Sequence, residues 1–194
     1  MKLSAVIQLI DGFSLQPAVA AEVSFRLNGR PYFPLSKASA FYAFSDLDDG
    51  TYQLEILCAD HVYFDQSMQL QVPLREPLAA SILTCLLTPS PLYAYPVGTT
   101  LIFGHIVQSG AQRQALSDVD VTATYQTARA KVKNQNARSF DRGRYDGSYA
   151  LVLSGRLAPE TAVDLSFKKN GMTSVQKQIK MKSGTRQCVD IEMH

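Results

Sequence analysis

The sequence predicts an all-β protein in which two antiparallel β-sandwich domains follow one another along the chain. Three observations predict this fold class. Short alternating apolar segments recur at intervals of about ten residues, the two halves repeat one order of segments, and prolines mark the join between them. No segment keeps an apolar period of 3.6 residues, so the sequence predicts no long helix.

The first half contains predicted strands that are rich in β-branched or aromatic residues and bounded by Gly, Pro, Asp or Asn. They are 4–10, 21–27, 40–46, 51–58, 66–72 and 81–87. An Asp-Gly dipeptide at 49–50 separates the third of these strands from the fourth. Because Gly tolerates a positive φ, the dipeptide favours a tight hairpin, and Gly50 is predicted to adopt that conformation.

The second half repeats this plan. Its predicted strands are 99–107, 118–126, 147–153, 161–168, 173–181 and 187–193. Counting strands from each apolar opening strand pairs Tyr42 of the first half with Tyr149 of the second. The sequences Asp-Gly-Thr-Tyr at 49–52 and Asp-Gly-Ser-Tyr at 146–149 are therefore predicted to lie on successive hairpins, not on equivalent ones.

Domain boundaries follow from a join that holds three prolines in eight residues. The predicted organisation is a first sandwich at 1–90, a linker at 91–97, and a second sandwich at 98–194 with a basic insertion at 127–146. Proline favours extended, fairly stiff backbone. Tyr93 and Tyr95 in this linker either wedge the two domains at a fixed angle or present a stacking surface to a ligand.

Charge is distributed unevenly between the halves. Residues 1–90 carry five Lys/Arg and nine Asp/Glu, a net charge of −4, whereas residues 91–194 carry fourteen and eight, a net charge of +6. This asymmetry is compatible with an anionic partner for one half, with head-to-tail contact of two copies, or with ordinary surface variation.

The most distinctive local feature is a basic stretch with six basic residues and one acid. Its basic residues are Arg129, Lys131, Lys133, Arg138, Arg142 and Arg144. In an extended arm the first three share one face, which can dock on phosphates or on an acidic protein surface. Few apolar residues accompany them, so the arm is predicted to be mobile without a partner. A solvated loop and a protein-binding arm both stay open, while nucleic acid is disfavoured because only Phe140 offers stacking.

Several segments resemble known domains. Residues 41–56 combine an aromatic strand, a polar loop and Gly-Thr-Tyr-x-Leu-x-Ile, and a Pro-Ala…Val-Ser-Phe element precedes them at 17–25. Residues 101–121 and Gly-Ser-Tyr-Ala-Leu at 147–151 follow the same pattern. The chain thus resembles carboxypeptidase regulatory-like domains. These domains are a transthyretin-like branch of the prealbumin-type and Cna-B-type β-sandwiches, which have an Ig-like fold. The resemblance implies this fold in both halves and an accessory role.

A narrower resemblance concerns the join. Residues 87–104, with Leu-Thr-Pro followed by Tyr-Pro-Val-Gly-Thr-Thr-Leu-Ile-Phe-Gly, are similar to the inter-domain join of accessory proteins encoded with contractile, phage-tail-like injection systems. This resemblance implies a part in assembling such a system.

Catalytic signatures are missing from the sequence. The cysteines at 58, 85 and 188 match no zinc or redox spacing and are predicted to be buried, reduced thiols. The histidines at 61, 105 and 194 have no metal-ligand spacing and lie in contexts unrelated to the His and Arg cluster of hydroxyisourate hydrolases, the enzyme branch of the transthyretin-like family. No nucleophile elbow or phosphate-binding loop is present. The sequence therefore predicts no catalytic residue, no cofactor and no metal.

Two smaller features have more than one explanation. The carboxylates of Asp46, Asp48 and Asp49 suit a turn, and suit a weak Ca²⁺ site less well because no later Glu completes the ligand set. Lys2 and Lys37 are candidates for the Lys–Asn isopeptide bonds of Cna-B-type domains, which belong to secreted pili.

These observations favour a non-catalytic structural or adaptor protein that mediates protein–protein assembly. Its partner is predicted to be a protein with an acidic surface, and self-association is a further option. No apolar run approaches the roughly 18 residues of a membrane span, and the N-terminal run is too short for a secretory segment, so a cytoplasmic location is predicted. The alternative is a pair of carbohydrate- or ligand-binding modules with Tyr32, Phe33, Tyr63 and Phe64 as exposed aromatic candidates, and a small enzyme ranks third.

Overall fold

The computed structural model describes residues 2–73, 82–110 and 113–194, and nearly all of its regular structure is β-strand. The chain divides into two compact units, Met1–Tyr93 and Ala94–His194, and this division falls inside the predicted linker at 91–97. Residue 81, at the start of the predicted strand 81–87, lies outside the described residues. Within the described ranges, no helix has the length and apolar character that a membrane crossing requires.

The first unit forms two four-stranded sheets. Its strands are β1 (Leu3–Asp11), β2 (Val23–Leu27), β3 (Arg30–Tyr32), β4 (Leu35–Lys37), β5 (Phe41–Ser45), β6 (Gly50–Cys58), β7 (Gln66–Val72) and β8 (Ile82–Leu87), with a short 3₁₀ turn at Ala38–Ala40. One sheet has the order β4-β5-β1-β8 and the other β3-β2-β6-β7. All pairs are antiparallel except β1 with β8, which is parallel.

Alternation along these strands places one set of side chains between the two sheets. Ile7 and Leu9 of β1 are fully buried, as are Leu54 and Ile56 of β6, and all four belong to one apolar core. Phe25 of the second sheet meets Phe44 of the first edge to face, with ring centroids 5.7 Å apart. Burying each large side chain contributes roughly 1.5–3 kcal/mol, so this layer holds the sheets together as a sandwich.

The second unit has the same layered build. Its strands are β9 (Leu101–Gln108), β10 (Asp120–Gln126), β11 (Val132–Arg138), β12 (Ser148–Val152), β13 (Glu160–Lys168), β14 (Val175–Lys182), β15 (Arg186–Cys188) and β16 (Ile191–Met193). One sheet has the order β11-β10-β13-β14, and in the other β9 pairs with β12 and with both β15 and β16. Tyr149 and Phe167 pack edge to face across the core at 5.7 Å. The predicted fold class, all-β with two tandem sandwiches, is confirmed.

The two units repeat one strand order. The opening strand, β1 or β9, pairs antiparallel with the strand that carries the aligned tyrosine, which is Tyr42 on β5 or Tyr149 on β12. It pairs parallel with the strands that close its unit, which are β8 in the first unit and β15 and β16 in the second. By position in the sheets, β3 corresponds to β11 and β7 corresponds to β14. The pairing of Tyr42 with Tyr149 by strand counting agrees with this topology.

The predicted hairpin around Asp46–Gly50 is wrong. β5 and β6 lie in different sheets, so the connection crosses from one sheet to the other. Gly50 opens β6 without a positive φ, whereas Asp46 adopts a φ of 54°. The cause is local: the Asp46 carboxylate accepts the Lys2 N–H at 2.7 Å, and the Asp46 N–H donates to the Lys2 carbonyl at 2.8 Å. Asp tolerates the left-handed region when its side chain is hydrogen-bonded in this way.

Candidate functional site

The basic stretch forms an ordered edge strand. β11 pairs with β10 in a seven-residue antiparallel ladder, from Asp120 opposite Arg138 to Gln126 opposite Val132. β10 is also paired with β13, whereas β11 is the last strand of its sheet. On its other side β11 lies alongside β12 of the second sheet, where the Phe140 N–H donates to the Ser148 carbonyl and the Ala128 N–H donates to the Arg156 carbonyl. The prediction of a mobile arm at 127–146 is therefore wrong. Low apolar content did not prevent order, because the ladder satisfies the backbone and Ala137 packs against the core.

Side chains on β11 alternate between two environments. Lys133, Gln135 and Ala137 are half-buried, while Asn134 and Asn136 are exposed on the outer face. Lys133 Nζ and Gln135 Nε2 both donate to Ser154 Oγ, at 3.2 and 2.6 Å. The Lys133 charge is thus turned inward and is not displayed at the edge.

A turn separates Lys133 from the other two residues of the predicted basic face. The Thr127 N–H donates to the Lys131 carbonyl at 2.9 Å, and Ala130 between them has a φ of 56°. This left-handed residue interrupts the two-residue period of an extended chain. The expectation that Arg129, Lys131 and Lys133 share one face is therefore wrong.

The remaining arginines lie at the far end of β11. Arg138 makes ion pairs within its own sheet, with Asp120 at 3.2 Å and Asp118 at 3.9 Å. Arg142 and Arg144 are exposed in the turn that follows. The seven residues of β11 span about 20 Å, so the six predicted basic residues do not form one patch.

Two exposed pairs of cations bracket the strand instead. They are Arg129 and Lys131 at its beginning and Arg142 and Arg144 beyond its end, and none of the four has an ion pair with a described residue. We call these four residues the basic bracket. Between its two pairs, the exposed side chains of Asn134 and Asn136 are uncharged. The turn that carries Arg142 and Arg144 also carries the exposed carboxylates of Asp141 and Asp146.

The linker tyrosines are held inside their own units. Tyr93 is half-buried, its hydroxyl donates to Asp11 Oδ2, and its ring contacts Phe13 at 5.8 Å and Tyr63 at 5.5 Å. Tyr95 is 9% exposed, and its carbonyl accepts a hydrogen bond from the Arg186 guanidinium. Neither tyrosine therefore presents an open ring face on which a ligand could stack.

The sequence analysis gave no role to Asp11, whose carboxylate accepts the hydrogen bond from Tyr93. Asp11 is only 8% exposed and accepts the N–H groups of Phe13 and Ser14 at 2.7 and 3.1 Å, besides the hydroxyls of Tyr63 and Tyr93. Burial acts to raise the pKa of Asp11, but these hydrogen bonds, led by that from Tyr93, outweigh it and lower the pKa. An Asp at the end of an apolar strand gave no sequence signal for this role, because its two tyrosine partners are distant in sequence.

Aromatic residues of the first unit form a cleft of about 450 Å³ at the strands β2, β3 and β5. Phe33 on its rim is 90% exposed. Tyr32 is half-buried, stacks on Phe44 at 5.2 Å and donates its hydroxyl to the Ser45 carbonyl at 2.9 Å. Tyr63 is 7% exposed and hydrogen-bonded to Asp11, so the expectation that it is exposed is wrong. Phe64 is half-buried and does not line the cleft.

His105, Cys188 and Asp190 are three side chains of catalytic types that lie close together. His105 Nδ1 and Cys188 Sγ each lie 3.6 Å from Asp190 Oδ1. Partial burial and the Asp190 carboxylate raise the pKa of the Cys188 thiol, which is opposite to what a reactive thiolate needs. The arrangement therefore lacks the activation of a cysteine nucleophile.

The three cysteines differ in exposure. Cys58 and Cys85 are buried as predicted, and burial together with nearby carboxylates raises the pKa of Cys58 to about 12. Cys188 is exposed, so the prediction that all three are buried is wrong for this residue. On the short strand β15 it is the neighbouring Gln187 that is partly buried.

Metal-binding geometry is also missing from the part of the chain that the structure describes. No group of three His, Cys, Asp or Glu side chains there could hold a metal ion. The Asp46 carboxylate is occupied by the Lys2 N–H, and Asp49 lies 3.9 Å from Lys2 Nζ. These contacts explain the acidic loop as a connection tied to β1.

Comparison with known proteins adds a distant likeness. No protein-family model matches the chain, and no curated protein matches its sequence. Among solved structures it is similar to the Bacillus anthracis TIE protein, with 9% identity and a TM-score of 0.35, covering 98% of this chain and 34% of that one. It is similar to a C-terminal fragment of the pilus adhesin SpaC from Lactobacillus rhamnosus GG, with 11% identity, a TM-score of 0.32 and coverage of 98% and 97%. A streptococcal ancillary pilin gives 12% identity, a TM-score of 0.31 and coverage of 98% and 62%. The chain thus spans about a third of the length of the TIE protein.

Proposed function

We propose that this chain is a non-catalytic adaptor that mediates protein–protein assembly through the exposed face of β11 and the basic bracket. The observation that supports the proposal is the basic bracket, four exposed cations that flank an ordered strand and have no ion pair with a described residue. Exposed arginines can form charge-assisted, bidentate hydrogen bonds with the carboxylates of a partner.

The other edge of the same sheet shows what a blocked edge looks like. β14 carries three exposed lysines, Lys177, Lys180 and Lys182, which disfavour the approach of another strand. β14 is therefore a blocked edge, and its lysines provide a matched control for the basic bracket.

The basic bracket adds a charge preference to the exposed face of β11. Four exposed cations at the two ends of β11 favour a partner segment with carboxylates near both of its own ends. Such charges raise the rate of encounter and disfavour basic partners.

The proposal extends to a contractile, phage-tail-like injection system. The resemblance of residues 87–104 to the inter-domain join of accessory proteins from such systems supports this assignment. The cytoplasmic location stays a prediction.

Co-purification with the products of the neighbouring genes tests the proposal. The chain is co-expressed with each product, and the wild type is compared with a variant in which Arg129, Lys131, Arg142 and Arg144 are all changed to Glu. A matched control changes Lys177, Lys180 and Lys182 to Glu on the blocked edge. We expect the first variant to lose its partner and the control to retain it.

Two results would count against the adaptor role. If both variants bind a partner as well as the wild type does, β11 is not the contact. If the wild type binds no neighbour and no second copy under any condition, the assembly function itself fails.

The aromatic cleft at Phe33 favours a second candidate, a ligand-binding module. A 90% exposed aromatic side chain beside Tyr42 and Arg26 offers a stacking face and a hydrogen-bond donor, which suits a sugar ring. Saturation-transfer NMR with a panel of oligosaccharides tests this candidate. Phe33→Ala should abolish any transfer, Val97→Ala at an exposed site in the other unit should not, and no transfer to the wild type would remove the candidate.

A further inference from the structure

We infer that Asn170 is a site of spontaneous deamidation, a covalent modification in which water converts its side-chain amide to a carboxylate. The site is an Asn-Gly pair in the connection between β13 and β14. A second Asn-Gly pair, at 28–29, lies in the connection between β2 and β3. The fold holds the two pairs differently, and this difference selects Asn170. The reaction needs no partner, so it stands apart from the proposed adaptor role.

The reaction joins the Asn170 side chain to the backbone of the next residue. The Gly171 nitrogen, after giving its proton to a solvent base, attacks Asn170 Cγ, and a new N–C bond forms. The bond from Cγ to the amide nitrogen breaks, and that nitrogen leaves as ammonia. Water then opens the cyclic imide at either carbonyl and gives aspartate or isoaspartate. Asparagine is thermolabile for this reason, and a following glycine favours the attack because it has no Cβ to obstruct it.

The reacting atoms at Asn170 are not held apart by the fold. Asn170 and Gly171 are both exposed, and a Cβ on Gly171 would meet nothing within 4 Å. The Met172 N–H donates to the Lys169 carbonyl at 3.2 Å and Gly171 has a φ of 79°, which is typical of a type II turn. Among the described residues, no hydrogen-bond partner binds the Asn170 side chain and no backbone acceptor binds the Gly171 N–H.

Asn28 is equally exposed, but β6 holds it at two points. Its N–H donates to the Gln53 carbonyl at 2.8 Å, and its Oδ1 accepts the Gln53 N–H at 2.8 Å. Asn28 and Gly29 have φ values of 50° and 75°, which is typical of a type I′ turn, and the Leu27–Arg30 pair closes this turn. To react, Asn28 must turn its amide away from Gln53 and lose the side-chain hydrogen bond.

The other two asparagines of the chain are unsuited to the reaction. Asn134 and Asn136 lie within the ladder of β11, and the residues that follow them, Gln135 and Ala137, have a side chain. Asn170 is therefore the asparagine that should react first in the folded chain.

Deamidation at Asn170 changes the charge of a cleft. Asn170 lines a cleft of about 700 Å³ that also carries Asp118, Asp120, Lys168 and Lys169. The product adds a third carboxylate there and lowers the net charge of +2 by one unit. Isoaspartate also adds one carbon to the backbone that connects β13 to β14.

Peptide mapping of the aged protein tests the inference. The full chain is incubated in mildly alkaline buffer made with heavy-oxygen water, sampled over time, digested with pepsin at acid pH and examined by mass spectrometry. In the folded chain we expect conversion at Asn170 to be at least about tenfold faster than at Asn28, because Asn28 must first give up its hydrogen bonds with Gln53. In concentrated urea the two sites should convert at similar rates, because both are Asn-Gly pairs without a fold to hold them.

Two variants serve as matched controls. Asn170→Gln should stop the accumulation of the acidic form on ion-exchange chromatography, because the longer side chain does not close the same ring. Asn28→Gly removes the other Asn-Gly pair and suits the positive φ at this position, so the acidic form should accumulate as in the wild type. Circular dichroism checks that both variants keep the wild-type fold.

Three outcomes would overturn the inference. The first is an Asn170 that stays intact in the folded chain while it converts in urea. The second is an Asn28 that converts as fast as Asn170 in the folded chain. The third is an acidic form that accumulates in Asn170→Gln at the wild-type rate.

Discussion

At Gly147 the backbone leaves no space for a side chain. Asp146 and Gly147 have φ values of 46° and 74°, and the Ser148 N–H closes the turn on the Tyr145 carbonyl at 2.7 Å. Two successive positive φ angles between these residues are typical of a type I′ turn. A Cβ on Gly147 would lie 2.4 Å from the Ile106 carbonyl oxygen, a contact that cannot be relieved by rotating a side chain.

A pair of glycine substitutions tests this reading at the scale of one residue. Gly147→Ala should lower the free energy of unfolding of the second unit by about 2–4 kcal/mol, through backbone strain and overpacking. Gly50→Ala should change the first unit by no more than about 0.5 kcal/mol, because a Cβ there meets nothing within 4 Å. Urea denaturation measures both, and equal effects at the two sites would contradict the assignment.

Asp11 makes the first unit sensitive to acid. Its pKa is lower in the folded chain than in the unfolded one, so its contribution is complete above the unfolded value of about 3.9 and is lost as the pH falls through the folded pKa. Unfolding of the first unit should therefore become easier below about pH 4. In Asp11→Asn this part of the pH dependence should disappear, while stability at pH 7 falls by about 1–3 kcal/mol because two tyrosine hydroxyls lose a charged acceptor.

Melting curves between pH 7 and pH 3 check this prediction. Tyr93→Phe is the matched control, since it removes one hydrogen bond and should reduce the acid sensitivity without abolishing it. Identical pH profiles for the wild type and Asp11→Asn would show that Asp11 does not carry the effect.

At the scale of the element, β11 should show the exchange pattern of a one-sided strand. Only every second amide of an antiparallel edge strand is bonded to its neighbour, and β10 is the only strand that forms a ladder with β11 among the described residues. In the unassembled chain, NMR hydrogen exchange should give alternating slow and fast amides over 132–138. Uniformly fast exchange would instead mean a solvated loop.

The sequence could predict β11 only in part. Six basic residues in a short stretch were visible, but the burial of Lys133 depends on Ser154, which lies 21 positions further along the chain. The turn at Ala130 was equally hidden, because alanine rarely adopts a positive φ and gives no turn signal. Local pattern therefore located the segment and could not give its conformation.

The connection at Asp46–Gly50 likewise could not be predicted from local sequence. Apolar alternation located β5 and β6, and an Asp-Gly dipeptide usually joins two strands of one sheet. Here β5 pairs with β1 and β6 pairs with β2, which are contacts distant in sequence. Which strands pair is set by the whole core, so the strands were predictable and this connection was not.

At the scale of the whole molecule, each unit has its own core and a repeated strand order. We expect fragments 1–93 and 94–194 to fold alone, because each contains one complete sandwich. A fragment ending at residue 90, the predicted domain boundary, lacks Tyr93 and its hydrogen bond to Asp11. It should be less stable than 1–93 by about 1–3 kcal/mol.

Circular dichroism and thermal melting of the three fragments measure this difference. Failure of both 1–93 and 94–194 to fold, when the full chain does fold, would contradict the independence of the units. Equal stability of the fragments ending at 90 and 93 would show that Tyr93 does not stabilise the first unit.

Hydrogen exchange of β11 in the assembled state tests the central claim most directly. If a partner binds over β11 and the basic bracket, the amides of 132–138 that exchange fast in the unassembled chain should become protected on assembly, and those already protected should change little. The amides of β14 should keep their pattern. Assembly that leaves the fast amides of β11 unprotected would contradict the claim that the protein acts through β11.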